Sequence, residues 1–268
     1  MSEFVVMGYP IAHSLSPRIH HAFGRLVGKE VTYERQEVAA GTLAQALAAF
    51  VAAGGRGANI TVPLKAEACA LADRLSGRAR RAMAVNTILW EHGLMVGDNT
   101  DGVGFIRDLV VNQGLSLRDR TVLLVGAGGA AQGIAGPLLD EGVARLVIVN
   151  RTPARATQLV ASLADDRAYA GLLSEQGEPF DFVINATAAG LAGAVPALPG
   201  IVFQGAVAYD LVYGARADGF LSCARLGGAK LAVDGLGMLV EQAAESFWLW
   251  HGMRPPVAPV LQALRADI

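Results

Sequence analysis

Thr121–Gly133, TVLLVGAGGAAQG, is an apolar run that ends in glycines. Val122–Val125 show no polar alternation, as suits a strand buried on both faces of a parallel sheet. Gly126, Gly128 and Gly129 follow at once, and a helix-like segment comes after them. Glycine there permits a tight turn and lets backbone N–H groups approach a pyrophosphate at a helix N-terminus. A glycine-rich turn in any α/β sheet carries the same letters. The order strand, glycines, helix, strand is what points to a dinucleotide.

The second strand of that unit lies in LVIVNRT, 146–152. NAD-binding sheets usually end this strand with an acid that bonds the ribose 2′-hydroxyl. Here the place reads NRTPAR, with Asn150, Arg151, Thr152 and Arg155 and no acid. Two guanidiniums and a hydroxyl suit a 2′-phosphate, which a carboxylate would repel. The plain alternative has Thr152 capping a helix that starts at Pro153, with both arginines solvated. Capping and phosphate binding are compatible, so the expectation is NADP(H).

Further strands read in FDFVINAT (180–187) and GAVAYDLVY (205–213). A long helix, 234–252, is entered through Gly235 and Gly237, which would suit a hinge, and PPVAPVLQAL (255–264) closes the chain. Towards the N-terminus, strand-like runs are EFVVMG, VTYERQEV, GANITV, AVNTILW and LMVGDNT, with EHG (91–93) as a hairpin turn between the last two. Helices read from near Pro17, Leu43 and Pro63. Alternating strands and helices make this an α/β protein of two domains. One covers 1–101 and 237–268, with the C-terminal helices returning to it; the other covers 102–236.

The 268 residues are 53% hydrophobic and 17% charged, the composition of an ordered chain. A net charge of −2 gives no electrostatic case for nucleic acid or an anionic membrane. The longest weakly polar run, 40–55, is alanine-rich and interrupted by Gln45, too short to span a bilayer. The N-terminus lacks a basic, then apolar, leader. Cys69 and Cys223 are far apart, against a disulfide framework or zinc site. The expectation is a soluble, cytoplasmic protein.

Polar groups gather at a few places. NITVPLK (59–65) puts Lys65 in the first turn of a helix for which Pro63 reads as the first residue. A cation there faces the positive end of the macrodipole, so local physics disfavours it. Ser16 before Pro17 reads as an N-cap, which leaves Ser14 free; two hydroxyls at a helix start could hold a small acid. His13, His20 and His21 have no partner acid or cysteine at metal-ligand spacing and read as surface or packing residues. GDNTDGVG (97–104) holds Asp98 and Asp101, the latter also a candidate cap. Asn86 and Thr87 stand at a strand end, where an amide could bond substrate hydroxyls, or as turn residues satisfy their own backbone.

Taken in order, GYPIAHSLSP, NITVPLK, AVNT, GDNTDGVG, VGAGGAA, NRT and DGLGMLVEQ resemble the shikimate dehydrogenase family over nearly the whole chain. The resemblance implies a mixed-sheet α/β substrate domain and a Rossmann-like, doubly wound parallel-sheet NADP domain. It implies an oxidoreductase: reversible NADPH-dependent reduction of 3-dehydroshikimate to shikimate, in aromatic amino-acid biosynthesis. Ser14 and Ser16 would hold the substrate carboxylate. Thr61, Asn86, Asp101, Tyr213 and Gln242 would contact ring hydroxyls, with Lys65 and Asp101 at the reacting oxygen. Gly126, Ala127, Gly128, Gly129, Ala130, Asn150, Arg151, Thr152, Arg155, Thr187, Leu211 and Gly235 would line the cofactor. No metal is implied, and the chain would be a monomer or homodimer.

Some positions depart from the family pattern. Ala217 and Asp218 stand where a Thr-Pro pair is frequent, Gly77 where an acid is common, and the alanines of NATAAG (185–190) where serines are common. Rival readings are a quinate/shikimate relative of broader specificity, a folate-linked dehydrogenase, and a catalytically silent NADP-binding regulator. The SLSP segment and Asp101 speak against the second; Lys65 and Asp101 together speak against the third.

Overall fold

The computed structural model describes residues 2–187 and 195–267, and among them are ten α-helices and twelve strands. They divide into two units, one of residues up to Gly104 together with Leu239–Asp267, the other of Phe105–Met238. In the first unit the elements are β1 (Phe4–Gly8), α1 (Ser16–Val27), β2 (Tyr33–Glu37), α2 (Leu43–Ala52), β3 (Gly57–Ile60), α3 (Lys65–Leu71), β4 (Arg74–Leu75), α4 (Gly77–Ala82), β5 (Thr87–Glu91) and β6 (Leu94–Asp98). The sheet order is β2-β1-β3-β5-β6-β4. β1 runs parallel to β2 and β3, and β5 antiparallel to β3 and β6, so the sheet is mixed.

The β5–β6 hairpin turns on His92 and Gly93, both at positive φ (53° and 81°), which matches the twist of the flanking strands. Its register pairs Thr87 with Asp98, and so sets AVNT beside GDNTD. At the end of β1, a Cβ on Gly8 would stand 2.4 Å from the Thr61 methyl group. Only glycine lets the turn after β3 pack so closely, and that contact sets where Thr61 stands.

Two helix starts differ from the sequence reading. Lys65, not Pro63, is the first helical residue of α3, with Leu64 before it; Pro63 sits in the turn, after a cis Val62–Pro63 peptide. The helix also stops at Leu71, because Asp73 pairs instead with Met95 of β6, through its N–H and its carboxylate. Ser16 is not the cap of α1 but its first residue, after Leu15, and no side chain caps that end.

The second unit begins within α5 (Asp101–Arg107), which runs into a π-helical turn at Asp108–Asn112. Then come β7 (Thr121–Val125), α6 (Gly129–Asp140), β8 (Arg145–Val149), α7 (Pro153–Leu163), β9 (Ala168–Gly171), β10 (Phe182–Asn185), β11 (Val207–Asp210), α8 (Asp218–Leu226) and β12 (Leu231–Val233). The order β12-β11-β10-β7-β8-β9 is parallel throughout. Connectivity reverses between β7 and β10, the switch point at which doubly wound sheets bind ligands. Buried Leu123 and Val125 on one face and Val122 and Leu124 on the other explain the unbroken apolar run.

Two helices close the chain, α9 (Leu236–His251) and α10 (Ala258–Arg265). Gly237 lies inside α9, where a Cβ would meet an Asp108 carboxylate oxygen at 2.0 Å. Packing, at this position, demands glycine. None of the described helices is long and apolar enough to cross a membrane.

The aromatic core of the first unit contains His20, fully buried and stacked on Tyr33 at 4.3 Å with an interplanar angle of 6°. Among the described residues neither of its ring nitrogens meets a hydrogen-bond partner of ordinary geometry. Burial, helped by His251 and His21 and opposed by the Asn59 amide, pushes its pKa down to about 3; burial also lowers His251, to about 4. Unfolded, both rings titrate near 6.5, so below that value the unfolded chain binds more protons than the folded one. The stability held by neutral rings is complete above pH 6.5 and is lost as pH falls towards 4 and then 3. His20 alone sets a slope of about 1.4 kcal/mol per pH unit across that window. Melting temperature is expected to fall as pH drops from neutrality to about 4.5, and His20→Phe, which keeps the stacked ring, to flatten the fall. Equal slopes for the two proteins would remove His20 from the account.

Candidate active site

The hairpin register and one helix start build the polar centre of the first unit. Lys65 opens α3, and its backbone carbonyl accepts from the Val85 N–H, which ties the helix to AVNT. Its ammonium is ion-paired with Oδ2 of Asp101, at 16% and 8% side-chain exposure. The other oxygen of Asp101 accepts from Nδ2 of Asn86 at 2.8 Å. Asp101 is therefore no simple cap: its carboxylate bonds Lys65 and Asn86.

Asn86 is itself held on every side. Its Oδ1 accepts from the Thr100 N–H (2.8 Å) and the Thr87 hydroxyl (2.9 Å), while its own N–H donates to the Asp98 carbonyl. Oε1 of Gln242, from α9, lies 3.4 Å from Asn86 Nδ2. Lys65, Asp101, Asn86 and Gln242 are thus brought together. Ser14 and Ser16 form a second group, with hydroxyls 3.2 Å apart, and the Arg35 guanidinium grips the Ser14 carbonyl through two bonds (2.8 and 2.6 Å). Thr61 is fixed by its N–H to the Met7 carbonyl. Tyr213 belongs to the other unit, at the start of the short helical turn Gly214–Arg216, where burial raises its phenol pKa.

A connecting network escaped the sequence reading. The Tyr33 hydroxyl donates to Oδ1 of Asn59 at 2.7 Å, and the Asn59 amide reaches Thr87 (3.1 Å) and Ser246 (3.0 Å). The one signal for it was Asn59 itself, a polar residue inside the apolar strand of NITVPLK.

In the second unit the cofactor candidates lie at the C-terminal ends of parallel strands. Gly126 has φ +113°, and a Cβ on it would stand 3.0 Å from the Ala186 carbonyl group. A side chain there is excluded twice over, by backbone and by space. Cβ positions on Gly128 and Gly129 face open space at the start of α6, so an anion can come close to the bare N-terminus. After β8, the Asn150 amide donates to the Thr152 carbonyl at 2.9 Å. Thr152 is the cap residue of α7, but its hydroxyl makes no capping bond, and Arg151 and Arg155 are exposed. Thr187 bonds Asn185, whose amide donates to Asp210, and Leu211 approaches Gly235 so closely that a Cβ there would lie 2.3 Å from its carbonyl oxygen. Ala127 and Ala130 flank the glycines at either side of the α6 start.

These features fit an NADP cradle: a glycine turn at the switch point, an uncovered helix end, and cations in place of the acid. Of the departures, Gly77 opens α4 with open space at its Cβ position, and Ala217 is buried just before α8, with Asp218 in its first turn. The alanine at 188 and its neighbours to 190 lie outside the described residues.

Comparison with known proteins covers both units. The shikimate dehydrogenase substrate binding domain family matches residues 6–88, shikimate / quinate 5-dehydrogenase matches 108–192, and the shikimate 5′-dehydrogenase C-terminal domain matches 235–265. The chain is 52% identical over 271 residues to a shikimate dehydrogenase (NADP(+)) of Alkalilimnicola ehrlichii, with 99% of each covered. It is 50% identical over 273 residues to one of Paracidovorax citrulli, with 99% of this chain and 97% of that one covered. The crystal structure of shikimate 5-dehydrogenase from Thermus thermophilus in complex with NADP(H) and shikimate is similar at TM-score 0.90 and 36% identity, over 100% of both chains.

Proposed function

Since the chain belongs to the shikimate dehydrogenase family, we propose that it catalyses the reversible NADPH-dependent reduction of 3-dehydroshikimate to shikimate in the cytoplasm. The observation that carries this reading is the Lys65–Asp101 pair, braced by Asn86 in a largely buried polar centre. Bound NADPH supplies the hydride to carbon. The protein must then put a proton on oxygen. The Lys65 ammonium hydrogen-bonds the substrate carbonyl, polarises it, and gives up a proton as negative charge grows on that oxygen. Asp101 holds the ammonium in place and accepts from a neighbouring hydroxyl. In the reverse direction the neutral amine takes the hydroxyl proton.

Ser14 and Ser16 bind the carboxylate; Thr61, Asn86, Gln242 and Tyr213 read the ring hydroxyls. Arg151, Arg155 and Thr152 take the 2′-phosphate, and Gly126–Ala130, Asn150, Thr187, Leu211 and Gly235 cradle the rest of the dinucleotide. The unit of residues up to Gly104 and from Leu239 is the substrate domain, and Phe105–Met238 the cofactor domain.

Absorbance of reduced nicotinamide, followed with shikimate or quinate and NADP⁺ or NAD⁺, tests the proposal. Shikimate with NADP⁺ is expected to outpace shikimate with NAD⁺ by about 10²-fold or more, from charge-assisted bonds to the phosphate. Comparable rates with quinate would move the chain to a broader quinate/shikimate activity. No reduction in any pairing would sink the enzyme reading.

A further inference from the structure

Arg78, in the first turn of α4, bonds Asp98 and Glu245, neither of them a group that would meet substrate, and both stand next to residues that would. Its Nε and Nη2 grip both oxygens of Asp98 at 2.7 and 2.9 Å, while Nη1 bonds Glu245 of α9 at 2.9 Å. Arg254 closes the array by bonding Glu245 (2.7 Å) and Glu241 (2.8 Å). Side chains of Asp98, Glu241 and Glu245 are each no more than 9% exposed, and Arg78 is 30% exposed.

Three short paths lead from this array to the polar centre. Asp98 accepts the Asn99 N–H at 2.7 Å, and the Asn99 side chain in turn accepts the Asp101 N–H at 3.1 Å. The Asp98 carbonyl holds the Asn86 N–H at 3.0 Å. Glu245 stands about one turn beyond Gln242 on the helix that brings Gln242 to Asn86. One planar group thus fixes the turn that carries Asp101 against the helix that carries Gln242. Burial acts to raise the Asp98 carboxyl, but the Arg78 and Ser76 bonds outweigh it and hold the group below its usual range, so the Arg78 fork faces a full negative charge.

We propose that Arg78 is a positioning residue of the reaction, whose bidentate grip on Asp98 and bond to Glu245 set Asp101, Asn86 and Gln242 relative to Lys65. This rests on the proposed role of Lys65 and Asp101. Lysine cannot replace it, since a point charge lacks the fork that spans both Asp98 oxygens and still reaches Glu245. Small misplacements of reacting groups are costly, up to about 10²-fold per ångström.

The test compares Arg78→Lys, Arg78→Ala and Lys65→Ala in shikimate oxidation, with rates normalised to NADP⁺-binding protein. Arg78→Lys is expected to keep its melting temperature within a few degrees and its NADP⁺ affinity, but to lose roughly 10- to 10²-fold in kcat. In Arg78→Ala, millimolar guanidinium is expected to restore part of the lost kcat and methylammonium at equal concentration none, a shape-selective rescue that general stabilisation would not give. Wild-type kcat in Arg78→Lys overturns the proposal, even where Arg78→Ala fails to fold. So does equal rescue by the two cations. If Lys65→Ala keeps its turnover, the acid–base reading falls and this proposal with it; if only the Arg78 variants behave as wild type, the acid–base reading stands alone.

Discussion

Lys65→Ala is expected to lower turnover by about 10²–10⁴-fold, the range for loss of a positioned acid–base group, while the fold persists. Reduction of a ketone delivers hydride and proton to neighbouring atoms, and no second ammonium or guanidinium bonds Asp101 among the described residues. Alanine removes the donor and leaves a gap beside Asp101 into which water can enter, so the carboxylate is rehydrated while keeping its Asn86 bond. The groups of Gly126–Ala130 and Asn150–Arg155 belong to the other unit, so NADP⁺ affinity should hold. Turnover within a few-fold of wild type, at unchanged NADP⁺ binding, would remove Lys65 from the chemistry. The placement that looked unfavourable in the sequence, a cation at the first residue of a helix, is offset in the structure by a buried acid that local sequence does not supply.

How far the letters carried the fold depended on the range of the forces involved. β7 and its glycines were legible because a doubly buried strand and a tight turn are local demands on composition. The β5–β6 hairpin was legible for the same reason, from EHG (91–93), although Glu91 ends β5 and only His92 and Gly93 form the turn. Edge strands β4 and β9 were not: one is two residues long, and the other, Ala168–Gly171, exposes Tyr169 and has no apolar run. The end of α3 at Leu71 was not legible, because alanines favour helix, whereas Asp73 pairs with Met95 of β6. Ser16 read as a cap from its neighbour Pro17, but the chain placed it one residue later, with its hydroxyl beside Ser14. Of the candidate site, Lys65, Asp101, Asn86 and Gln242 could be named from the sequence and stand together in the structure, whereas their supports left no signal. Arg78 and Glu245 are 167 residues apart, Asn59 and Ser246 187, and such pairs leave no spacing signal.

Asp101→Asn separates the two members of the pair without changing their size. The amide oxygen is expected to keep facing Nδ2 of Asn86, because the reverse orientation would set two amide donors against each other in a buried place. That leaves the new NH₂ group towards the Lys65 ammonium, donor against donor. Lysine then lacks both its counter-charge and its fixed direction, and turnover should fall by roughly 10²–10³-fold. The loss should appear in kcat and, because the acceptor for the neighbouring substrate hydroxyl goes as well, also in KM, while the Ser14–Ser16 pair and Arg35 are untouched. Residues that act as a unit are not additive: once one is gone, the other has little left to lose. The double variant Lys65→Ala/Asp101→Asn is therefore expected to be about as slow as the slower single variant. Losses that multiply would mean two independent contributions, with the ion pair a structural contact and the proton carried by Lys65 alone.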